Sequence, residues 1–343
     1  MGLPMLNTDL INNLNKRLEL IILPTEQCNF RCVYCYEKFE TKQMKPEIVN
    51  AIKLLLNNRV PDLSNLNVQW FGGEPLLAYN IILDIMNHIK ILKSTVNPDL
   101  NIIGTMTTNG YMLNQKTLKR LTEIGIKDYQ ITLDGNREEH DKLRIKSGIE
   151  GTFDNIWKNL ISAHQSNIDF LITIRLHVNG NNFESIKDLL SIISNEIGDD
   201  KRFNIFIRFL SRLGSANDNN LSITEDYSKI NLLKKFAIDK GLILSNLDIY
   251  KDKYLCYAAN PTSYIIRANG ELSKCTVALY NDNNIIGKIN NDGTLELKQE
   301  KIYAWIRGIF SGNMNELSCP LIGLSNYIKI VKNKDTYEPE KSM

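Results

Sequence analysis

The chain has 343 residues, and its 41 Lys and Arg nearly balance 39 Asp and Glu, for a formal net charge of +2; that balance leaves no electrostatic footprint for nucleic acid or an anionic membrane. With 43% hydrophobic and 23% charged residues, it has the composition of a globular protein with a sizeable core, enough for two domains or one large α/β unit with an appendage. No apolar run nears the roughly 18 residues that span a bilayer, and the first sixteen positions lack the features of a signal peptide, so the expected setting is cytoplasmic and reducing.

Residues 18–23 form a short apolar run closed by Pro24, the pattern of a buried strand. Pro46 opens a helix whose Ile48, Ala51, Ile52, Leu55 and Leu56 share one face. Strand, helix, strand, helix then follow at 67–71, 77–92, 101–106 and 115–124, the last stopped by Gly125. A fourth strand is expected at 128–133, and Thr152 is expected to cap a helix with Phe153, Ile156, Trp157, Leu160 and Ile161 on one face. A strand at 168–178, a helix at 183–197 and a strand at 203–210 complete six strand–helix alternations. Such alternation predicts a parallel sheet, closed or nearly closed as a barrel.

The Gly-, Asn- and Ser-rich stretch 211–222 marks the domain boundary, and Thr224 is expected to cap a helix ending at Gly241. Beyond residue 249 strands shorten, and Asn269-Gly270 between 264–268 and 271–273 signals a two-residue hairpin. The divisions read from this pattern are an N-terminal segment 1–17, a barrel 18–213, a linker and bridging helix 214–248, a small α+β domain 249–330 and a polar tail 331–343. Neither an internal repeat nor a low-complexity tract is evident.

Six cysteines carry the chemistry: Cys28, Cys32, Cys35, Cys256, Cys275 and Cys319. At short spacing in a long cytosolic chain they read as metal ligands or catalytic groups rather than disulfides. The first three lie as CxxxCxxC on the loop after the first strand. A tetrahedral zinc site wants four ligands, usually as two CxxC pairs, and none completes the set nearby. Three thiolates from one loop suit three irons of a [4Fe–4S] cube, with the fourth iron left open, as a catalytic centre requires. An electron-transfer cluster, or a zinc loop with a remote fourth ligand, is the plainer alternative.

CxxxCxxC with aromatic Tyr34 before its third cysteine resembles the signature of radical S-adenosylmethionine (SAM) enzymes, over about residues 18–210. The resemblance implies a partial (βα)6 barrel, in agreement with the six alternations. It implies that the open iron chelates the amino and carboxylate groups of SAM, and that one electron cleaves the sulfonium to a 5′-deoxyadenosyl radical that abstracts hydrogen from substrate.

Further motifs follow later strands. Gly72-Gly73-Glu74-Pro75 follows the second; glycines there permit close backbone approach of a ligand, and Glu74 can accept from a cationic group. The resemblance implies that this stretch contacts the SAM amino group; a tight turn is the alternative. Thr107-Thr108-Asn109-Gly110 after the third strand resembles the family's TNG motif, or is a simple turn. Thr132-Leu133-Asp134-Gly135, with His140, Asp141 and Arg144 beyond it, resembles the SLDG…HD..R stretch of peptide-modifying members, Thr132 standing for the usual Ser. Arg175 in the fifth strand could reach the SAM carboxylate or pair with an acidic neighbour. Asp134 and His140 are the candidate catalytic groups, His140 and Asp141 possible proton acceptors. Tyr34, Tyr36 and Phe30 are read as shielding the cluster, with Tyr36 a candidate neighbour of the adenine, and His88 and His164 as packed histidines; His177 is unassigned. Each motif falls at the carboxyl end of its strand, the catalytic face of a parallel barrel.

Thirteen residues separate Cys256 from Gly270, and four separate Gly270 from Cys275. Three unrelated buried cysteines are one reading. The spacing also resembles the opening of the SPASM and twitch extensions, which carry auxiliary clusters, and the stretch 285–289 resembles the segment after this hairpin in relatives. A full SPASM domain has seven cysteines and two clusters. The three here imply one auxiliary [4Fe–4S] cluster on Cys256, Cys275 and Cys319, its fourth iron open or bound by a non-cysteine group, and serving a substrate thiolate or electron passage.

The function expected from the resemblance is modification of a ribosomally made peptide, with thioether or other crosslink formation leading. Epimerisation and sulfatase-type formylglycine formation are alternatives within the class, and a non-catalytic iron–sulfur or zinc protein is the alternative outside it. An external one-electron reductant of flavodoxin or ferredoxin type is implied. The short stretch before residue 18 leaves no room for an N-terminal leader-binding domain, so a leader would be read by the C-terminal region or a separate protein.

Overall fold

The computed structural model describes residues 14–146, 148, 151–245 and 255–328. The expected tail, most of the N-terminal segment and the end of the linker lie outside the described residues.

Strand β1 (Arg17–Ile22) runs into the cysteine loop, where β2 (Arg31–Cys32) is a two-residue strand. Helix α1 (Pro46–Arg59) has Pro at its first turn and buries Val49, Ala51, Ile52, Leu55 and Leu56. Next come β3 (Asn65–Trp70), α2 (Tyr79–Thr95), β4 (Asn101–Thr108), α3 (Gln115–Glu123) and β5 (Ile126–Leu133). Short α4 (Arg137–Leu143) leads into two-residue β6 (Arg144–Ile145), then α5 (Phe153–His164), β7 (Leu171–Val178), α6 (Phe183–Ile197) and β8 (Phe203–Phe209). The chain closes with α7 (Tyr227–Asp239), β9 (Ser263–Ile266), β10 (Glu271–Ser273), β11 (Ile285–Ile289), β12 (Leu295–Leu297), α8 (Gln299–Ser311) and α9 (Met314–Ser318).

Strands β1, β3, β4, β5, β7 and β8 pair in that order, all parallel, and form the six-stranded partial barrel. Helices α1, α2, α3, α5 and α6 bury apolar stripes against it in a large core cluster with Trp70, Tyr129 and Trp305 among its fully buried side chains, and Ile21, Leu23, Ile265 and Leu279 form a smaller second cluster. The barrel is open, because β8 ends the strand order. After α7, the chain returns along β8 through a parallel bridge between Ile205 and Leu244.

The C-terminal strands join the same sheet. β9 pairs in parallel with β1, Glu19 against Ser263 through Ile22 against Ile266, and β10 to β12 continue as an antiparallel meander. The motif-bearing end of the barrel and the region of the last three cysteines are therefore one continuous structure.

Three local expectations are revised. Thr152 holds the capping position of α5, but its hydroxyl turns to His140 and the Arg144 carbonyl, and Asp141 Oδ1 accepts the Thr152 and Phe153 N–H groups instead. The cap of α7 is Asp226 rather than Thr224. The hairpin between β9 and β10 is longer than two residues. Arg267 N–H donates to Glu271 O and Gly270 N–H to Arg267 O, leaving Gly270 at φ +86, a three-residue loop closed by a left-handed glycine.

Candidate functional site

Residues 23–39 cross the carboxyl ends of the strands and carry the first three cysteines, all half-buried. Local pairing fixes the loop. Cys32 lies opposite Arg144 in the β2–β6 ribbon, Val33 N–H donates to Leu143 O at 2.8 Å, Cys35 N–H to Cys32 O at 3.0 Å, and Phe30 N–H to Cys28 Sγ at 3.3 Å. Burial pushes the Cys28 and Cys35 thiols up to about 12 and raises Cys32 as well. Such thiols become thiolates when a metal displaces their protons. Among the described residues no group of three or more His, Cys, Asp and Glu is placed to hold a single metal ion. In an iron–sulfur cube each thiolate takes a different iron, so its ligands surround the cluster rather than converge on a point. Three thiols on one preformed loop fit that requirement.

The Gly72-Gly73-Glu74-Pro75 stretch seats this loop. A methyl carbon on Gly72 would lie 2.3 Å from Thr25 O, and one on Gly73 2.5 Å from Gln27 O. Glu74 N–H donates to Gln27 O at 2.9 Å. The close neighbour these glycines admit is therefore the chain's own backbone, just before Cys28. The Glu74 side chain is also engaged by the fold. It is fully buried, Oε1 accepting from Leu76 N–H at 3.0 Å and the Thr108 hydroxyl at 2.8 Å, and Oε2 from Asn109 N–H at 2.7 Å. It ties the turn after β3, where Pro75 starts a 3₁₀ turn, to the turn after β4. Asn109 Nδ2 reaches Asn29 Oδ1 at 2.8 Å and comes within 3.9 Å of Cys28 Sγ, so the turn after β4 also braces the loop.

Asp134 anchors the opposite side. The Tyr34 hydroxyl donates to its Oδ2 at 2.5 Å, Arg144 Nη1 donates to the Tyr34 hydroxyl at 2.6 Å, and His177 Nδ1 sits 3.1 Å from Oδ1. Asn182 Nδ2 bridges the Asp134 and His177 carbonyls. Burial opposes ionisation of Asp134, but hydrogen bonding to His177 and the nearby cations outweigh it and hold the carboxyl well below the usual range. Burial, then the charge of Arg175, push His177 down to about 4, so it stays neutral.

Asp134 and His140, the candidate catalytic groups, lie inside this network. Both side chains are fully buried. His140 Nδ1 accepts the Asp134 N–H at 3.4 Å, while Nε2 lies 3.2 Å from Thr152 Oγ1, whose hydrogen goes to Arg144 O. Both ring nitrogens are occupied by the fold, and Asp141 caps α5. His177 and Asn182 belong to the same network and were not assigned from sequence; the available signal was that His177 sits at the carboxyl end of β7, level with the other motifs.

Thr132 on β5 lies opposite Arg175 on β7. Arg175 feels the charges of Tyr34, Tyr36 and Asp134, so it stands beside the cysteine loop; burial and Arg208 lower it to about 10, and it remains cationic at neutral pH. The buried Nε atoms of Arg175 and Arg144 have no hydrogen-bond partner. Two cations with unused buried donors beside the loop suit a ligand bearing a carboxylate.

The other three cysteines also come together. Cys256 lies within electrostatic reach of both Cys275 and Cys319. Cys256 N–H donates to Leu317 O at 2.9 Å, Asn284 Oδ1 accepts from Cys275 N–H at 2.9 Å, and buried Arg307 binds the carbonyls of Pro320 and Ile322 just after Cys319. A seam joins this region to the first loop. Buried Arg267 grips Glu26 through two bonds of 3.0 and 2.8 Å, and Lys38 N–H donates to the Tyr280 hydroxyl at 2.8 Å. The Tyr36 hydroxyl donates to Thr276 O at 3.0 Å. His88 and His164 pair with Asn57 and Asp200 away from these groups.

The family model for the Radical SAM superfamily matches residues 22–193. The chain is 35% identical over 158 residues to uncharacterized protein MJ0907 of Methanocaldococcus jannaschii, covering 45% of this chain and 51% of that one. It is 25% identical over 212 residues to a cysteine-type anaerobic sulfatase-maturating enzyme of Clostridium novyi, covering 59% and 53%. The chain thus spans about half the length of these curated relatives. Among solved structures, anSMEcpe with bound AdoMet and Cp18Cys peptide superposes with a TM-score of 0.63 at 19% identity, over 84% of this chain and 80% of that one. Streptococcus suis SuiB bound to precursor peptide SuiA gives 0.60 at 18%, over 94% and 75%. At such identities the likeness is one of fold. No helix among the described residues is long and apolar enough to cross a membrane.

Proposed function

This chain belongs to the radical SAM superfamily of enzymes, and on that premise we propose that it oxidatively modifies a peptide, linking a cysteine sulfur to a carbon or forming another crosslink. The observation that carries this reading is the gathering of Cys256, Cys275 and Cys319 near β9 and β10, seamed to the Cys28–Cys35 loop. Peptide-bound anSMEcpe and SuiB, which share the fold, support the substrate class.

Cys28, Cys32 and Cys35 hold the [4Fe–4S] cluster, and one iron remains for SAM. When bound, the cluster and SAM together supply a one-electron cleavage that removes a hydrogen atom from a substrate carbon. Around them the protein's work is positional. Arg175 and Thr132 receive the SAM carboxylate, Arg144 offers its spare donor alongside, and the backbone of Gly72, Gly73, Glu74 and Pro75 lines the side toward the amino group. Asn109 braces Cys28, and Tyr34 is pinned by Asp134 and Arg144 so that its ring is fixed against the loop.

Cys256, Cys275 and Cys319 hold one auxiliary [4Fe–4S] cluster. Thioether formation releases one carbon-bound hydrogen atom, one thiol proton and one electron, and a cluster on the second cysteine set would supply a one-electron acceptor. The starting electron comes from an external flavodoxin- or ferredoxin-type carrier.

A second reading, formylglycine formation, is favoured by the resemblance to the Clostridium novyi enzyme over 59% of the chain. One anaerobic incubation with SAM, reductant and a cysteine-containing peptide encoded beside the gene separates the readings. A crosslink removes two hydrogens from the peptide. Formylglycine formation removes two hydrogens and exchanges sulfur for oxygen. Unchanged peptide mass with 5′-deoxyadenosine produced indicates epimerisation, and absence of 5′-deoxyadenosine under a competent reductant refutes all three.

A further inference from the structure

The residues immediately after three cysteines meet in one knot. Tyr36 follows Cys35 in the first set; Tyr257 and Thr276 follow Cys256 and Cys275 in the second. The Tyr36 hydroxyl donates to Thr276 O at 3.0 Å. Thr276 N–H donates to the Tyr257 hydroxyl at 2.9 Å, and Thr276 Oγ1 lies 2.8 Å from the same hydroxyl. One threonine thus joins two tyrosines, and the knot is anchored one residue from a ligand of each cluster site.

We propose that Tyr36, Thr276 and Tyr257 act as positioning residues that couple the two iron–sulfur sites, so that occupancy of one stabilises the cluster in the other. This rests on the reading of Cys256, Cys275 and Cys319 as an auxiliary site. The physical basis is shared ordering. A bound cluster fixes Cys35 and with it the next residue; the Tyr36 bond carries that restraint to Thr276, and hence to Cys275 and to Tyr257 beside Cys256. The second site then forms with part of its ordering already complete. Coupling of this kind is reciprocal. With one neutral hydrogen bond as the link, its size is about 2- to 10-fold in cluster retention.

The seam contains an internal control. The Tyr280 hydroxyl accepts from Lys38 N–H at 2.8 Å, so it makes one hydrogen bond across the same seam without adjoining a cysteine. A general loosening of the seam would therefore accompany loss of either hydroxyl, whereas loss of coupling accompanies only that of Tyr36.

The test uses full-length, anaerobically loaded protein and reads loss of second-site iron to a ferrous chelator, by absorbance and iron analysis. Emptying the first site with Cys28→Ala, or with Cys28→Ser if the alanine variant does not fold, should accelerate second-site loss by that same factor. In a Tyr36→Phe background, emptying the first site should bring no further acceleration; in a Tyr280→Phe background, the full acceleration should persist. Coupling that survives Tyr36→Phe, or that disappears equally in Tyr280→Phe, overturns the inference. Two clusters that never influence one another overturn it while leaving the auxiliary site standing. Iron for a single cluster in the wild-type protein overturns both.

Discussion

Replacement of Gly73 by alanine tests how the first cysteine loop is held. Ordinary contact begins at 3.4 Å, and the added methyl would lie 2.5 Å from Gln27 O, a shortfall of about 0.9 Å, with Gln27 C at 2.6 Å and Glu26 O at 2.9 Å also too close. All three are backbone atoms, so no side-chain rotation relieves the clash. The retreating partner is Gln27 O, which accepts the Glu74 N–H and immediately precedes Cys28. Overpacking of this kind costs about 1–3 kcal/mol, and the weakened hydrogen bond adds about 1 kcal/mol. Thermal unfolding under anaerobic conditions should fall by several degrees. The sharper readout is iron: Gly73→Ala should lose cluster from the first site while the second set keeps its own. Gly214→Ala is the control, since Gly214 has φ +94 but no atom within 4 Å of the added carbon, and should lose stability through backbone strain alone, with iron content intact. A Gly73→Ala protein with full iron and an unaltered first-site spectrum would refute the claim that this glycine exists to admit the loop backbone.

Three further outcomes concern other parts of the molecule. His140 is lowered from 6.5 to about 4 by burial, so the folded protein keeps it neutral; its contribution to stability is complete above pH 6.5 and is lost as pH falls to about 4, roughly 3 kcal/mol in all. His140→Gln should flatten that part of the acid-side decline in denaturation midpoints, and an unchanged slope would contradict the assignment. Arg267→Met leaves the Glu26 carboxylate buried and unpaired, which should destabilise the protein by about 3–5 kcal/mol in chemical denaturation; a change below about 1 kcal/mol would mean the pair is not buried as described. Cys275→Ala should lower iron by one cluster while some SAM cleavage persists, and full iron in that variant would refute the auxiliary site.

The barrel was legible because its signals are local. An apolar run such as 18–23 closed by proline and the helical stripe of α1 each declare their element within a dozen residues, and the motifs declare their positions by coming directly after strands. What was illegible depends on residues far apart. Nothing near Glu19 announces that Ser263 will pair beside it, so the continuation of β1 into β9 had no sequence signal. Glu26 and Arg267 are each ordinary charged residues until the fold buries them together. The Gly72-Gly73 pair did announce a close approach, but sequence does not reveal that the backbone at Thr25 and Gln27 is one partner in it. For His140 the residue type was visible, whereas the hydrogen bonds at both its nitrogens were not.

The most direct test of the central claim is electron paramagnetic resonance of the anaerobically reconstituted, reduced protein before and after addition of SAM, using Cys275→Ala to isolate the first site. The expected result is a [4Fe–4S] signal whose g-values shift when SAM is added, and which is lost in Cys32→Ala. A protein with no such signal, or one whose signal is indifferent to SAM, would contradict the assignment of Cys28, Cys32 and Cys35.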